Sequence, residues 1–149
     1  YPVWRKKERY MLIYRDDKFE LYQNKEALPR ASLFYGFEVV KDQRELLERF
    51  FSKDFDFRNV LLLEEDLNLT TQKSEGKAEI LSYTPNTIRI QVKTDTPAIL
   101  FLADNFYPGW RVLINGHEER IYRADYTFRA VKVPSGESTV EFSYKTSFL

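Results

Sequence analysis

The sequence predicts a mainly β fold, an antiparallel β-sandwich with one principal α-helix near residues 42–52. Three observations predict it. Residues 98–103 form an unbroken apolar run, the signature of a strand buried on both faces. From Ala78 onward turn signals recur roughly every eight to twelve residues, the spacing of short strands in a sandwich or barrel. A single stretch combines an N-capping signal with apolar residues at helical spacing.

Taken in order, residues 1–8 are a charged lead-in, and YMLIY at 10–14 is a compact apolar run. Asp16-Asp17 can turn the chain into Phe19-Glu20-Leu21-Tyr22, which makes a first hairpin. A loop at 24–29 follows, in which Pro29 pushes Leu28 to an extended conformation, and then an extended stretch at 30–40 interrupted by Gly36. The helix comes next. Asp42 can cap it, Glu45 stands at the third position of a capping box, and Leu46, Leu47, Phe50 and Phe51 line one face that should dock on the sheet. Phe55, Phe57 and residues 60–63 read as one more strand.

The polar stretch 66–77 is the candidate mobile loop, dividing an N-terminal mixed part (about 1–65) from an all-strand part (about 78–146) of a single domain spanning 1–149. In the second part Ile88, Ile90 and Val92 alternate with polar residues, and Asp95-Thr96-Pro97 turns into the central run. Asp104-Asn105 should bring the chain to the surface, since such a pair cannot sit unpaired in a core. Pro108 and Gly109 suit the two central positions of a type II turn, after which Trp110, Val112 and Ile114 lead inward to Asn115-Gly116, a two-residue hairpin signal. Residues 120–123 are expected to return from that hairpin. A phase slip between Phe128/Ala130 and Val131/Val133 suggests a bulge near Ala130, and Val140, Phe142 and Tyr144 alternate to the end. The short turns favour purely antiparallel pairing.

Composition narrows the function. With 23 basic and 23 acidic residues there is no bulk electrostatic case for nucleic acid. There are no cysteines, which excludes disulfides and thiolate chemistry without deciding the compartment. No segment approaches the ~18 apolar residues that span a bilayer. The chain begins at Tyr1 with neither an initiator Met nor a signal peptide, and reads as a piece excised from something longer.

The order NFYPGW, a short strand, NG, a charged pair, then RADYTFRAVKVPSGESTVEFSY resembles the C-terminal soluble region of the YfhO-type bacterial membrane proteins, large polytopic glycosyltransferase-like proteins of the GT-C class. The LPRA stretch at 28–31 is similar to the segment opening that region, so the resemblance spans about 28–144. It implies a sandwich of the jelly-roll or carbohydrate-binding-module type, outside the cytoplasmic membrane and joined to transmembrane helices. It also implies that the catalytic acid lies in a loop of the membrane part, absent from this chain.

The residues themselves offer little chemistry. The single His117, past a hairpin tip, and the lack of Cys leave no ordinary zinc site, and no phosphate-binding glycine loop or nucleophile elbow is present. No cofactor or metal is expected. Glu64-Glu65-Asp66 reads as a solvated charge run. Asp104 and Asp125 form a carboxylate pair at strand ends, but strand-end Asp is routinely a turn former. Tyr107 is the sharpest binding candidate. Its flat ring can stack on a sugar, with Asp104, Asn105, Arg123, Asp125 and Tyr126 around it, while Pro108, Gly109, Trp110, Asn115 and Gly116 are assigned structural roles.

The reading is therefore a non-catalytic extracytoplasmic domain of a membrane glycosyltransferase-like protein. Its partners are the transmembrane part of its own polypeptide and a glycan or lipid-linked sugar. A free-standing secreted carbohydrate-binding module is the alternative, and a glycosidase built on Asp104 and Asp125 a third.

Overall fold

The computed structural model describes residues 8–145; most of the charged lead-in lies outside them. The chain runs β1 (Tyr10–Arg15), β2 (Glu20–Asn24), β3 (Ala31–Phe34), β4 (Gly36–Val39), α1 (Gln43–Phe50), β5 (Val60–Leu63), β6 (Gly76–Tyr83) and β7 (Thr87–Thr94). It continues with β8 (Ala98–Asn105), β9 (Trp110–Ile114), β10 (His117–Glu119), β11 (Tyr122–Ala124), β12 (Phe128–Val133) and β13 (Gly136–Tyr144). The strands form a β1-β2 ribbon, a five-stranded sheet β10-β9-β13-β7-β6 and a six-stranded sheet β3-β8-β12-β11-β5-β4. The two larger sheets make the sandwich.

Strand β8 explains the architecture. Its Ala98, Leu100 and Leu102 join Ile88, Ile90, Val92, Val112, Val140 and Phe142 in the core between the two sheets. Its alternate residues Ile99 and Phe101 point the other way, into a second core with Phe34, Leu61, Leu63, Tyr122 and Ala130. Both faces are buried, as an unbroken apolar run requires.

The second core exists because the six-stranded sheet curls. Its two edge strands, β3 and β4, are separated in the chain by Tyr35 alone, so its edges are drawn together around one continuous bent segment. The same curl accounts for β12, where Ala130 faces the inner core and Val131 the inter-sheet core. The apparent phase slip is burial on both faces. The irregularity itself falls between Phe128 and Arg129, where two residues of β8 are skipped between the partners Asn105 and Leu102.

Purely antiparallel pairing does not hold: β4 and β5 are parallel, Gly36 opposite Val60 through Val39 opposite Leu63. The helix is the reason. Parallel neighbours need a long crossover, and α1 with its flanking loops provides it. Asp42 caps α1 through its carboxylate, which accepts from the backbone N–H groups of Arg44 and Glu45. Leu46 is wholly buried against Phe55 and Leu62. Arg49 clamps the helix to β4 by donating from Nε and Nη2 to the two carboxylate oxygens of Glu38, each at 2.8 Å. Those bonds hold Glu38 below its ordinary carboxylate pKa. Phe51, expected in the docking face, is instead 78% exposed, because it is the C-cap residue and its direction leaves the helical phase.

Two further expectations are adjusted. The strand after α1 is only β5, with turns over 51–59. The return from Asn115-Gly116 is β10, because Asn115 (φ 51°) and Gly116 (φ 85°) close a two-residue turn that pairs Ile114 directly with His117. Residues 122–124 cross to the other sheet. The stretch 66–75 has no regular structure, yet Leu67 is buried in the inner core and Thr71 Oγ1 donates to the Tyr35 carbonyl. Asp42→Ala should lower the unfolding free energy by about 1 kcal/mol with an unchanged denaturant slope. Urea titration measures it, and an effect near zero would mean the cap bond contributes nothing.

Candidate functional site

Strand β8 ends at Asn105, and 106–109 form the corner that carries the chain into the other sheet. Trp110 N–H faces the Tyr107 carbonyl at 3.5 Å across Pro108-Gly109, and Gly109 has φ +101°, as the second central position of a type II turn demands. A Cβ on Gly109 would lie 2.9 Å from Tyr144, and the Gly109 carbonyl accepts from the Lys145 N–H, so only glycine fits here. The corner is thereby pinned to the end of β13.

Beneath the corner lies a charged group that the sequence reading missed. Arg129 of β12 is 4% exposed, its guanidinium centred 3.9 Å over the Trp110 ring and 5.6 Å from the Phe142 ring. Its Nε donates to the Asn105 carbonyl at 3.0 Å and its Nη2 stands 3.7 Å from the Asp104 carboxylate. Nη1 has no hydrogen-bond partner among the described residues. Burial pulls the Arg129 pKa below its ordinary value, opposed by the Asp104 charge. The group stays charged, because an arginine has no accessible deprotonated form.

Asp104 is fully engaged. Besides Arg129, it accepts from Arg30 Nη1 (3.0 Å) and from the Tyr83 hydroxyl (3.0 Å), while Arg30 Nη1 also donates to that hydroxyl at 2.7 Å. Asp104 thus ties the segment before β3, the end of β6 and the start of β12 into one network. Sequence spacing gives no hint of it, since the partners lie 74, 21 and 25 positions away. The available clue was an arginine embedded in the apolar FRAVKV of β12 with an aspartate closing the apolar β8.

The remaining candidates separate. Asn105 is exposed, with its side-chain oxygen 3.3 Å from the Thr127 hydroxyl. Arg123 stacks 5.0 Å over Phe106 and lies 3.7 Å from Glu64. Asp125 and Tyr126 form the β11–β12 turn with positive φ (46° and 76°), and Tyr126 is exposed. Asp125 holds β5: its N–H donates to the Leu62 carbonyl and its carboxylate accepts from the Leu62 N–H, both at 2.8 Å. The two carboxylates are therefore bonded to different neighbours. Tyr107 stands clear at 62% exposure, its ring 6.4 Å from Tyr144, which in turn lies 5.5 Å from Trp110. This gives a short aromatic shelf, Tyr107–Tyr144–Trp110, with only its outer end open. Glu64 and Glu65 are drawn to Arg123 and Arg120, and no group of acidic or histidine residues suited to a metal ion occurs among the described residues.

The family model described as bacterial membrane protein YfhO matches residues 38–149. A curated relative, the uncharacterized protein YfhO of Bacillus subtilis (strain 168), is 28% identical over 94 residues, covering 60% of this chain. The chain spans only 11% of that relative's length. No solved structure matches.

Burial lifts the Asp125 carboxyl to about 6 against the Leu62 N–H bond, from an ordinary 3.8. The folded state then holds a proton that the unfolded chain has released. The stabilisation is complete below about pH 4 and is lost as pH rises through about 6. Asp125→Asn keeps an acceptor for Leu62 and tolerates positive φ. It should gain on the parent by on the order of 1–2 kcal/mol between about pH 4 and pH 8. Urea midpoints across pH test this, and a parent–variant difference that is constant with pH would contradict it.

Proposed function

This chain belongs to the YfhO family of bacterial membrane proteins, and from that premise we propose that it is a non-catalytic extracytoplasmic domain of a polytopic, glycosyltransferase-like membrane protein. In this reading it presents an aromatic shelf to a glycan or lipid-linked sugar beside the transmembrane part of its own polypeptide. The observation that carries the binding role is Tyr107. It is the exposed end of a ring series whose inner members are locked by the Gly109 turn and Arg129, so the ring is presented without further ordering cost. Asn105, Arg123 and Tyr126 add polar groups on neighbouring loops of the same scaffold.

The non-catalytic role is supported by the uses to which the acids are put. Asp104 balances two arginines and a tyrosine, and Asp125 ties a turn to β5. Family membership favours this reading over a free-standing secreted carbohydrate-binding module.

Two measurements test it. A single cysteine at His117 in a cysteine-free full-length protein should react with a membrane-impermeant maleimide in intact cells. Labelling only after lysis would place the domain inside. The purified domain should bind glycans or lipid-linked sugars weakly, lose binding by about tenfold in Tyr107→Ala with its melting temperature kept, and turn over no donor or glycoside. Turnover abolished by Asp104→Asn or Asp125→Asn would overturn the non-catalytic assignment.

A further inference from the structure

Among the described residues, the β1-β2 ribbon forms a sheet of its own, its strands pairing with each other and with neither larger sheet. Register sorts its side chains. Leu12 pairs with Tyr22 and Arg15 with Glu20 on one face, while Met11 pairs with Gln23 and Tyr14 with Leu21 on the other. Ile13 is the extra residue of a bulge between Leu12 and Tyr14. That bulge matters, because without it Met11 and Tyr14, three positions apart, would point to opposite faces.

The two faces differ in kind. The Leu12/Tyr22 face carries the Arg15–Glu20 ion pair (2.7 Å) and the bond from the Tyr22 hydroxyl to Glu20. Within the strand segments the opposite face has no charged side chain, and Gln23 supplies its amide. Met11 (47%), Tyr14 (49%) and Leu21 (52%) are all open, and the Phe19 ring (58%) lies 5.5 Å from Tyr14 at its distal end. At the tip Asp16 is held by the Tyr14 hydroxyl and by the N–H groups of Lys18 and Phe19, which keeps its carboxylate pKa low. At the root, Arg58 donates to the Glu26 carbonyl (3.2 Å), and both Arg9 (3.4 Å) and Arg58 (3.7 Å) pair with the Glu26 carboxylate. The ribbon is thus tethered at one end and apolar on one exposed side.

We propose that the Met11/Tyr14/Phe19/Leu21 face of this ribbon rests on a lipid bilayer at the headgroup–acyl boundary. This rests on the membrane setting of the proposed function and adds the surface that meets the lipid. A chargeless, mainly aliphatic–aromatic face with a tyrosine hydroxyl at its rim, backed by a face on which Leu12 and Tyr22 sit beside the Arg15–Glu20 ion pair, matches the composition of interfacial elements. Depth is limited as well. The outer edges of a two-stranded ribbon carry unpaired backbone groups that must stay near water, so it can lie on the bilayer but not cross it. Membership of a membrane-protein family, with most of the matched relative's length outside this chain, supplies the neighbouring bilayer.

The test uses the purified chain and phosphatidylcholine vesicles, with and without a minor fraction of phosphatidylglycerol. Because the sequence lacks cysteine, Leu21→Cys and Tyr22→Cys can each carry one environment-sensitive fluorophore, on opposite faces. Vesicles should shift emission to the blue at Leu21→Cys and leave Tyr22→Cys unchanged. Phe19→Ser with Leu21→Ser should cut vesicle partitioning about tenfold or more, while Leu12→Ser should leave it intact. Equal shifts at both positions, or no partitioning, would overturn the proposal. So would a lipid-free dimer that the Phe19/Leu21 variant dissolves, since that would assign the face to a second copy of the chain. Surface labelling at His117 and glycan binding at Tyr107 are independent of these variants, so failure here leaves the proposed function standing.

Discussion

A buried cation joins the two larger sheets of this protein. Arg129 belongs to the six-stranded sheet, while the rings it lies against, Trp110 and Phe142, belong to the five-stranded one. Taking a guanidinium out of water costs several kcal/mol, and a single ion pair seldom offsets that. Here the cost is shared among an aromatic face at 3.9 Å, a backbone carbonyl at 3.0 Å and the Asp104 charge at 3.7 Å. Each of those partners is itself fixed. Asp104 is held by Arg30 and Tyr83, and Trp110 by the Gly109 turn and Tyr144. Desolvation strengthens the ring–cation attraction, so burial both taxes and reinforces the arrangement.

That arrangement decides what is left for function. Asp104, a binding candidate by sequence, is committed to the junction, as is Trp110, whose expected role was structural. The exposed groups are those one step outward: Tyr107 on the shelf, Tyr126 on the neighbouring turn and the apolar face of the ribbon.

How much of this was legible depended on the range of the interaction. The Asn115-Gly116 turn, the Asp42 cap and the alternation of β7 are local, and the residues announce them. The double burial of β8 could be read from its unbroken apolar run. The curl of the six-stranded sheet could not, because it depends on a one-residue junction at Tyr35 and on a helix serving as a parallel crossover. The Arg129 network stayed hidden for the same reason. Its members come from five separate strands and the segment before β3, and a charged residue in a short apolar strand is ambiguous until its partner is known. In the ribbon, the apolar run was visible but its sidedness was not, since one bulged residue, Ile13, sets which face each side chain takes.

The most direct measurement of the inter-sheet junction is a double-mutant cycle on Arg129→Met and Trp110→Leu, followed by urea unfolding. Arg129→Met keeps approximate volume and removes the cation, while Trp110→Leu removes the ring and keeps the site apolar. If the guanidinium stacks on the indole, the two losses are not additive, with a coupling of about 1–2 kcal/mol. Additivity within about 0.3 kcal/mol would contradict it, showing that the guanidinium and the indole are neighbours without being partners.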